Sequence, residues 1–589
     1  MAKTKINKKD LVFVEEAENA KNYLAYDNVK LYATTDIPLH GPLPGEQGSV
    51  IPLSPQKLWE EFDPNGEALD AYLLGEEDGR KDYVFRAEHR PDGDLSVQLS
   101  VYAPDYPSKK AVLLIGDRDL APQQGVIDAV VKTGCYVFVA DYNALLPGSG
   151  TTFPSSLAYG KHGSEGIHLT KKCTSPKNGC PYLYALIQRR ALAFIREEYH
   201  LKETILLGVG SGTEIAMTVA GLEPTSVIAL ACIGGAGYTE CVDVPRYPVY
   251  RPSYDEETLA YVVSSCGVSY LKNYPHPVFT AIGSNGTKSD VDRLSALKGL
   301  IKGPLTVAIS PQCADNIDAD AFSVCLNWLT YSFWHSDFPA PPVTHVEINR
   351  DGTVYANVTA KTVPPIKSAT LHYSYGNNNH VTRLWESAPC ETVGIGQYVA
   401  KMTFRKPCGF LFYYTEIEYI NGLRVTETPL FADLSDYRVA VAPSKPTAVL
   451  FRYGAEGTLC EVGDNAVILS KMITEGTVPM GAKGAVCKEG SMRLFLGDSC
   501  HSIEDNKILQ VDCYSPEDYF PLELVLSVGT PAVEYRSVKT LQKDVNFTGL
   551  KFRLVDFKDS AFRPLPAWRN VNTITIMSKN VLINKLTFI

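Results

Sequence analysis

Six short apolar segments, spaced so that helical segments fit between them, constrain the fold of this chain more than any other feature. The apolar segments are residues 111–116, 136–141, 204–210, 226–234, 277–283 and 304–310. Helical periodicity is found between them, in residues 122–132, 183–199, 211–221, 290–299 and 318–334. Uninterrupted apolar segments of this length are typical of parallel strands covered on both faces. The pattern predicts an α/β fold with a doubly wound, mainly parallel sheet and right-handed crossovers.

The rest of the chain divides at turn-rich and proline-rich segments. A chain of 589 residues corresponds to about three to five domains. We predict an N-terminal lead-in that packs on the α/β domain (residues 1–100) and the α/β domain itself (101–338). After a proline-rich segment we predict an immunoglobulin-like β-sandwich (339–440). Residues 441–589 again show short alternating strands and are predicted to form a jelly-roll-like sandwich.

Charge and apolar length argue against two classes of partner. Lys and Arg total 56 against 66 Asp and Glu, and this net charge of −10 disfavours nucleic acid, whose binding requires phosphate neutralisation. The longest apolar segment, residues 227–236, is far shorter than the roughly 20 residues of a membrane-spanning helix. Residues 1–10 lead into Glu15 and Glu16 without the apolar segment of a secretory signal. We therefore expect a cytoplasmic protein, or a secreted one if a signal has been removed.

The fourteen cysteines show no pattern of disulfides or metal ligands. They are scattered and form no C-x-x-C pair, so most are expected to be buried thiols. Cys173 and Cys180 could form a bridge or half of a metal site, but no second ligand pair follows at zinc spacing. The glycines of residues 208–213 lack the Lys-Ser/Thr pair of a phosphate-binding loop. We predict no metal and no cofactor.

The most informative string is residues 205–217, ILLGVGSGTEIAM, in which an apolar strand meets a helix through a glycine-rich turn. This is the pattern of a nucleophile elbow, G-x-S-x-G, whose central Ser is held above the sheet on a strained turn. Here the register reads Gly208, Val209, Gly210, Ser211, Gly212. The nucleophile position therefore holds Gly210, which has no side chain to attack a substrate.

Other strings support the same comparison. They are LWEEFDP at residues 58–64, RRALAFI at 189–195, and SPQ at 310–312 followed by Ile317 and Asp318. Together with the elbow, they make residues 52–338, a little under half of the chain, resemble the α/β-hydrolase superfamily, in its acetyl xylan esterase-like and dienelactone hydrolase-like branches. The resemblance implies the α/β-hydrolase fold and, for an intact member, ester hydrolysis by a Ser-His-Asp triad.

Four departures from that pattern concern the catalytic groups. Gly210 replaces the nucleophile, and the loop that should offer backbone donors to an oxyanion reads Gly-Asp-Arg-Asp at 116–119. The acid position, residues 284–287, has no carboxylate, although Asp290 and Asp292 follow, and the base position, residues 311–316, has no His. We interpret the chain as a hydrolase scaffold that has lost its triad and has a non-catalytic or carbohydrate-related binding role.

An active ester hydrolase is the alternative interpretation. It would use Ser211 as a displaced nucleophile, with His162 or His168 as the base, and would act on acetylated carbohydrate of the acetyl xylan type. However, a Ser at the start of a helix ordinarily caps that helix, and Glu214 three residues later completes a capping-box pattern. We favour capping as the role of Ser211.

Aromatic residues near the end of the chain are candidates for a sugar-stacking platform. The closing strings at 552–559, 566–568 and 581–589 resemble the last strands of jelly-roll carbohydrate-binding modules. Trp568, Tyr519 and Phe520 are the candidate binding residues, because aromatic rings stack on the apolar faces of sugars, although each could instead belong to the core. Asp556 and Asp559 could help to bind a structural calcium, but two carboxylates three residues apart are usually solvated.

Overall fold

We describe the fold from a computed structural model. It describes residues 58–77, 79–106, 108–117, 120–146, 148–154, 177, 180–235, 267–286, 291–313, 317, 319–375, 380, 383–404, 408–434, 449–453, 461–462, 466–468, 473–487, 491–496, 503–528, 533–577 and 581–589. Within these residues the chain forms an α/β domain followed by two β-sandwiches.

The α/β domain is built on one long sheet. Three antiparallel strands begin it, namely β1 (Tyr72–Glu77), β2 (Arg80–Arg90) and β3 (Gly93–Tyr102). The central strands are β4 (Ala111–Ile115), β5 (Tyr136–Ala140), β6 (Thr204–Val209), β7 (Val227–Ile233), β8 (Val278–Gly283) and β9 (Leu305–Ser310). Their order is β1-β2-β3-β5-β4-β6-β7-β8-β9, and β5 to β9 pair in parallel, which confirms the six predicted segments.

Helices cover both faces of the parallel strands, which explains why those strands are apolar throughout. The helices of this domain within the described residues are α1 (Gln124–Val131), α2 (Cys180–Glu198), α3 (Gly212–Leu222), α4 (Leu294–Leu300) and α5 (Ala319–Phe333). Side chains of α2, α3 and α4 pack on one face, and those of α1 and α5 pack on the other. This strand order, with its antiparallel start, is that of the α/β-hydrolase fold. No helix in the described part of the chain is long and apolar enough to cross a membrane.

The lead-in before β1 packs against helix α2. The Trp59 ring stacks on Tyr182 with the ring centroids 4.3 Å apart. Arg190, which is 2% exposed, donates hydrogen bonds to the carbonyl oxygens of Pro64 and Ala68. A buried guanidinium must be satisfied by such acceptors, so the lead-in and α2 form one packed layer.

The first β-sandwich consists of two antiparallel sheets. Its strands are β10 (Val343–Ile348), β11 (Thr353–Thr359), β12 (Ile366–Tyr375), β13 (Glu386–Pro389), β14 (Glu391–Gly394), β15 (Gln397–Thr403), β16 (Phe410–Tyr419), β17 (Arg424–Thr426) and β18 (Leu430–Asp433). One sheet has the order β10-β11-β15-β14, and the other has β17-β16-β12-β13 with β18 also paired to β16. Leu371, Phe404 and Leu411 are fully buried in the core of this sandwich. Its immunoglobulin-like topology stays a prediction.

The sheet of the α/β domain continues into this sandwich. Thr426 of β17 pairs antiparallel with Val307 of β9. The nine strands of the α/β domain and the strands β12, β13, β16, β17 and β18 therefore form one fourteen-stranded sheet in the described part of the chain. The proline-rich segment predicted as a boundary therefore separates two structural units whose strands are joined by hydrogen bonds.

The second β-sandwich completes the chain. Its strands are β19 (Val449–Arg452), β20 (Glu461–Val462), β21 (Ala466–Ile468), β22 (Ile473–Thr477), β23 (Lys483–Cys487), β24 (Ser491–Leu496), β25 (Ile508–Tyr514), β26 (Phe520–Val528), β27 (Val533–Leu541), β28 (Thr548–Arg553), β29 (Val571–Met577) and β30 (Leu582–Phe588). One sheet contains β20-β19-β30-β23-β22 with β25 and β28, and the other has the order β21-β24-β29-β26-β27. The jelly-roll assignment stays a prediction.

Candidate functional site

The turn between β6 and α3 has the geometry of a nucleophile elbow. Gly210 has a φ of +57°, in the left-handed region that glycine enters at little steric cost. A Cβ at Gly208 would lie 2.6 Å from the Cα of Thr213, and a Cβ at Gly212 would overlap the carbonyl oxygen of Gly116. Glycine is therefore required on both sides of residue 210, where α3 comes close to β6 and β4.

The carboxylate of Asp117 occupies the space that a side chain at residue 210 would need. A Cβ built on Gly210 would overlap Asp117 Oδ2. The same oxygen accepts a hydrogen bond from the amide of Ser211 at 3.2 Å. In a working hydrolase, the amide of the residue after the nucleophile donates to the developing oxyanion. Here that amide donates to a carboxylate of the protein, which the positive end of the α3 dipole also stabilises.

A neighbouring loop holds the strand end that carries Asp117. The hydroxyl of Tyr142 donates to the carbonyl oxygen of Gly116 at 2.8 Å, and its ring lies edge-on to Tyr184 with centroids 4.7 Å apart. Asp141 is 3% exposed and accepts amide hydrogen bonds from its own loop, and burial raises the pKa of its carboxyl group. These contacts fix the position of Asp117 relative to the elbow.

Ser211 does not cap helix α3, so that prediction is wrong. Its φ of −65° and ψ of −19° are helical, whereas a capping residue is extended, and its side chain makes no capping hydrogen bond. The amides that a cap would bind donate instead to backbone carbonyls, Thr213 to Gly210 at 3.2 Å and Glu214 to Ser211 at 3.3 Å. Glu214 does not complete a capping box, because its Oε2 accepts the amide of Gly267 at 2.5 Å.

The displaced-nucleophile hypothesis for Ser211 stays a prediction. Ser211 is 6% exposed and its amide is held by Asp117. The two histidines predicted as possible bases, His162 and His168, lie outside the described residues.

Uncharged side chains lie where the catalytic acid and base would follow β8 and β9. Ser284 and Asn285 are buried, and the Ser284 hydroxyl donates to Asn285 Oδ1 at 2.7 Å. The backbone amide of Gln312 donates to Ser284 Oγ at 2.9 Å, and its Nε2 donates to Asn285 Oδ1 at 3.0 Å. The side chains of these residues satisfy one another, and amide groups do not exchange protons as an acid or base near neutral pH.

The first sandwich contributes the rest of this corner. Asn285 Nδ2 donates to the carbonyl oxygens of His380 and Arg383 at 2.8 and 2.7 Å. Gln312 Oε1 accepts the backbone amide of Trp385, and Gln312 Nε2 donates to the Arg383 carbonyl at 3.2 Å. The loops that would carry an acid and a base in a hydrolase therefore bind backbone groups of the neighbouring sandwich.

A buried ion pair reinforces this contact. Arg383 and Asp292 form two hydrogen bonds, of 2.6 and 2.8 Å, and their side chains are 0% and 9% exposed. The Arg383 guanidinium also lies 3.7 Å from the ring centroid of Phe412. Asp292, one of the carboxylates that follow the acid position in the sequence, is thus engaged by the sandwich.

The three aromatic candidates of the second sandwich differ in accessibility. Trp568 is fully buried, and its ring packs against Phe557 and Phe588 with centroids 5.7 and 5.0 Å away. The prediction that Trp568 binds a ligand is therefore wrong, because its ring belongs to the core. Phe520 is partly buried against the same core, whereas Tyr519 is 69% exposed.

The two carboxylates considered for calcium have other partners. Asp559 accepts the amides of Ala561 and Arg563 and forms an ion pair with the Arg563 guanidinium at 2.7 Å. Asp556 forms an ion pair with Lys539 at 2.8 Å. The residues that the structure describes contain no group of three or more His, Cys, Asp or Glu that could hold a metal ion. Neither carboxylate is therefore arranged as a calcium ligand.

Several cysteines are free thiols, namely Cys135, Cys232, Cys325, Cys390 and Cys513. Cys180 is buried, and Cys173, its possible partner, lies outside the described residues, so a bridge between them stays a prediction. Burial raises the pKa of the Cys135 thiol to about 11, which keeps this sulfur protonated and unreactive.

Comparison with known proteins gives similarity in structure only. No protein-family model matches the chain, and no curated protein is similar to it in sequence. Similar solved structures include acetyl xylan esterase 1 from Thermoanaerobacterium sp. JW/SL YS485, with 11% identity over 47% of this chain and 92% of that one, at a TM-score of 0.36. Another is the acetyl xylan esterase from Paenibacillus sp. R4, with 15% identity over 51% and 98% of the two chains, at a TM-score of 0.36. Est1E from Butyrivibrio proteoclasticus, with ferulic acid bound, has 12% identity over 41% and 95%, at a TM-score of 0.31.

The fold of the first domain follows from its own strand order and elbow. The order β5-β4-β6-β7-β8-β9 with an antiparallel start, and the left-handed Gly210 between β6 and α3, are those of the α/β-hydrolase fold.

Proposed function

We propose that this protein is an esterase-like scaffold without catalytic activity, with a carbohydrate-related binding role. The observation that carries the proposal is the Asp117 carboxylate on the Ser211 amide, in the space of the missing side chain at Gly210. Attack on an ester carbonyl creates an oxyanion, which the Ser211 amide would have to stabilise. The Asp117 carboxylate already accepts that amide hydrogen, and its negative charge repels the oxyanion. The elbow therefore retains its shape but not the groups that give it reactivity.

The expected losses in rate are large. Removing one oxyanion donor costs about 10²–10³-fold, and removing the nucleophile of a serine hydrolase costs on the order of 10⁶-fold. Asn285 and Gln312, at the acid and base positions, bind each other and the sandwich instead of a histidine. These effects are not additive: loss of the nucleophile alone leaves about 10³–10⁴-fold catalysis over water, which comes from the oxyanion hole and binding. Occupation of the oxyanion donor by Asp117 opposes that remainder as well.

A binding role is supported by what the chain keeps. The α/β domain is joined to a sandwich by strand pairing and a buried ion pair, and a second sandwich carries the exposed ring of Tyr519. An exposed aromatic ring on a β-sandwich suits a ligand with apolar faces, and a net charge of −10 disfavours polyanions. Carbohydrate is the ligand class that fits both features.

Hydrolysis and covalent labelling test the proposal. The full-length protein is incubated with p-nitrophenyl acetate, with acetylated xylan and with a serine-directed fluorophosphonate. We expect turnover no faster than in buffer, and no label. The alternative function is hydrolysis of carboxylic esters on acetylated carbohydrate with Ser211 as nucleophile. Turnover or labelling that is lost in Ser211→Ala, but kept in the control Ser323→Ala on helix α5, would establish that alternative and end the proposal.

We also propose a reducing, cytoplasmic location. The free thiols of Cys135, Cys232, Cys325, Cys390 and Cys513 support it, because disulfides form and persist in oxidising compartments. Thiol titration of the protein purified under non-reducing conditions and then denatured should count fourteen thiols, the number in the sequence. A lower count that returns to fourteen after reduction would indicate disulfides and a secreted protein.

A further inference from the structure

Three loops meet at one end of the second sandwich. They are the turn between β22 and β23, the loop between β25 and β26, and the loop between β27 and β28. The amide of Met480 donates to the carbonyl oxygen of Val545 at 3.2 Å, which joins the first loop to the third. Asp518 Oδ1 accepts the amide of Lys543 at 3.2 Å, which joins the second loop to the third. The three loops therefore form one continuous surface, which we call the loop end.

The loop end presents apolar side chains to solvent. Tyr519 is 69% exposed, Met480 is 68% exposed and Val545 is 55% exposed. Each belongs to a different loop, and the two hydrogen bonds bring the three loops together. Burial in the core accounts for none of the three.

Tyr519 is held in an unfavourable backbone conformation. Its φ of +56° is in the left-handed region, which costs a residue with a Cβ roughly 1–2 kcal/mol. Asp518 Oδ1 accepts the Tyr519 amide at 3.1 Å as well as the Lys543 amide, so one carboxylate fixes both loops around the ring. The fold thus maintains an exposed aromatic ring at a position where glycine or asparagine would be favoured.

The size and charge of the loop end select its ligand. A standard protein interface uses about 20–30 residues a side, whereas three apolar side chains match a ligand the size of one sugar ring. Glu517, Asp518 and Asp544 belong to the same loops as the apolar side chains, with Lys543 as the accompanying cation, and this acidic rim disfavours phosphate, sulfate and uronate groups. The negative face of a tyrosine ring attracts the C–H groups of a pyranose face.

We propose that the loop end binds a sugar unit of a neutral glycan, stacked on Tyr519. The proposal rests on the binding role proposed above and gives that role a surface and a ligand class. The polar rim would exchange hydrogen bonds with the sugar hydroxyls, while Met480 and Val545 would cover the edges of the ring.

Affinity electrophoresis of the full-length protein tests the proposal. Native gels are cast with xylan, mannan or mixed-linkage β-glucan, and retardation is measured relative to a gel without polysaccharide. We expect retardation by at least one of these neutral glycans and a loss of affinity of about tenfold or more in Tyr519→Ala. Because the ring is exposed, the thermal unfolding of this variant should match that of the wild type.

Phe562→Ala is the matched control. Phe562 is 80% exposed and has a φ of +61°, so it shares the exposure and the backbone conformation of Tyr519. The turn that contains Phe562 lies beside Arg536 of β27, because Lys558 pairs with Arg536. Tyr519 lies beside Leu541 at the end of β27, because the next residue, Phe520, pairs with Leu541. Arg536 and Leu541 are about 17 Å apart along the strand. We expect this control to be retarded as strongly as the wild type.

The outcomes separate this proposal from the broader binding role. Retardation that is unchanged in Tyr519→Ala would overturn the loop end as the site and leave carbohydrate binding in place. The absence of retardation in all three gels would overturn the neutral-glycan proposal, whatever the esterase assays show. Retardation only by an anionic glycan such as pectate, or photo-crosslinking of Tyr519 to a protein instead of a glycan, would also contradict it.

Discussion

Glu427 should make the joint between the α/β domain and the first sandwich sensitive to pH. It follows Thr426, which pairs with β9, and it is 6% exposed. One carboxyl oxygen accepts the amide of Thr344 at 3.2 Å, and the other has no hydrogen-bond partner in the described part of the chain. Burial raises the pKa of this carboxyl group from 4.5 to about 7, although Lys298 nearby opposes the shift.

The sign and size of the effect follow from that shift. The carboxyl group of Glu427 binds its proton more tightly in the folded state. Its contribution to the free energy of unfolding is therefore greatest below pH 4.5 and falls between pH 4.5 and about 7. Above about pH 7 this contribution no longer changes with pH. At about 1.4 kcal/mol per pH unit, the loss amounts to about 3 kcal/mol. Replacement by glutamine, which has the same shape and no charge, should remove the loss.

Urea unfolding at pH 5, 6, 7 and 8 measures this difference. Tryptophan fluorescence reports mainly on the joined domains, because Trp59, Trp328, Trp334 and Trp385 lie there and Trp568 lies in the second sandwich. We expect wild type and Glu427→Gln to have similar stability at pH 5, and the variant to be more stable by about 3 kcal/mol at pH 8. A difference that does not change with pH would refute the reasoning.

Glu418→Gln serves as the control for general effects of charge. Glu418 lies on β16 in the same sandwich, and a hydrogen bond from Lys367 lowers the pKa of its carboxyl group. Its contribution is therefore present above its usual pKa and is lost as the pH falls. The control should show no pH dependence between pH 6 and 8, and a further measurement at pH 4 should show a small dependence of the opposite sign.

Three further substitutions test the packing. Asp292→Asn should lower the free energy of unfolding of the joined domains by about 3–5 kcal/mol, because it leaves the buried Arg383 charge without its carboxylate. Urea unfolding measures this loss, and a loss below about 1 kcal/mol would show that the pair is not buried in solution. Gly210→Ser should destabilise the α/β domain by about 2–4 kcal/mol through overlap with Asp117 and the left-handed φ, and Asp117→Gly in the same chain should recover much of the loss in a thermal melt. Purely additive losses would show that the two residues do not collide. Trp568→Ala should cost about 3–5 kcal/mol in the transition of the second sandwich, whereas a surface residue would cost almost nothing.

Local patterns predicted the strands and the elbow well. The six parallel strands begin and end within one or two residues of the predicted segments, because uninterrupted burial on both faces leaves a clear apolar signal. The elbow was also predictable, since the glycines of residues 208–212 satisfy steric demands that are local in sequence. The left-handed Gly210 is the result.

The contacts that decide function join residues far apart in the chain. Asp117 and Ser211 are 94 residues apart, and Asn285 and Arg383 are 98 apart, so no local periodicity reveals either pair. The sequence showed charge in the loop that contains Asp117, but not that its carboxylate would reach the elbow. Capping by Ser211 was wrong for a local reason, because the amides it would have bound donate to backbone carbonyls.

The strand pair between Thr426 and Val307 also bears on how such a chain can change over generations. A domain that is attached only through a flexible linker can be deleted or exchanged without destabilising the neighbouring domains. Here deletion of residues 339–434 would expose the edge of β9 to solvent. It would also leave Asn285 without its carbonyl acceptor and Gln312 without its amide donor in the first sandwich. We therefore expect the α/β domain and the first sandwich to be retained together during evolution. Loss of the sandwich would require new hydrogen-bond partners for Asn285 and Gln312.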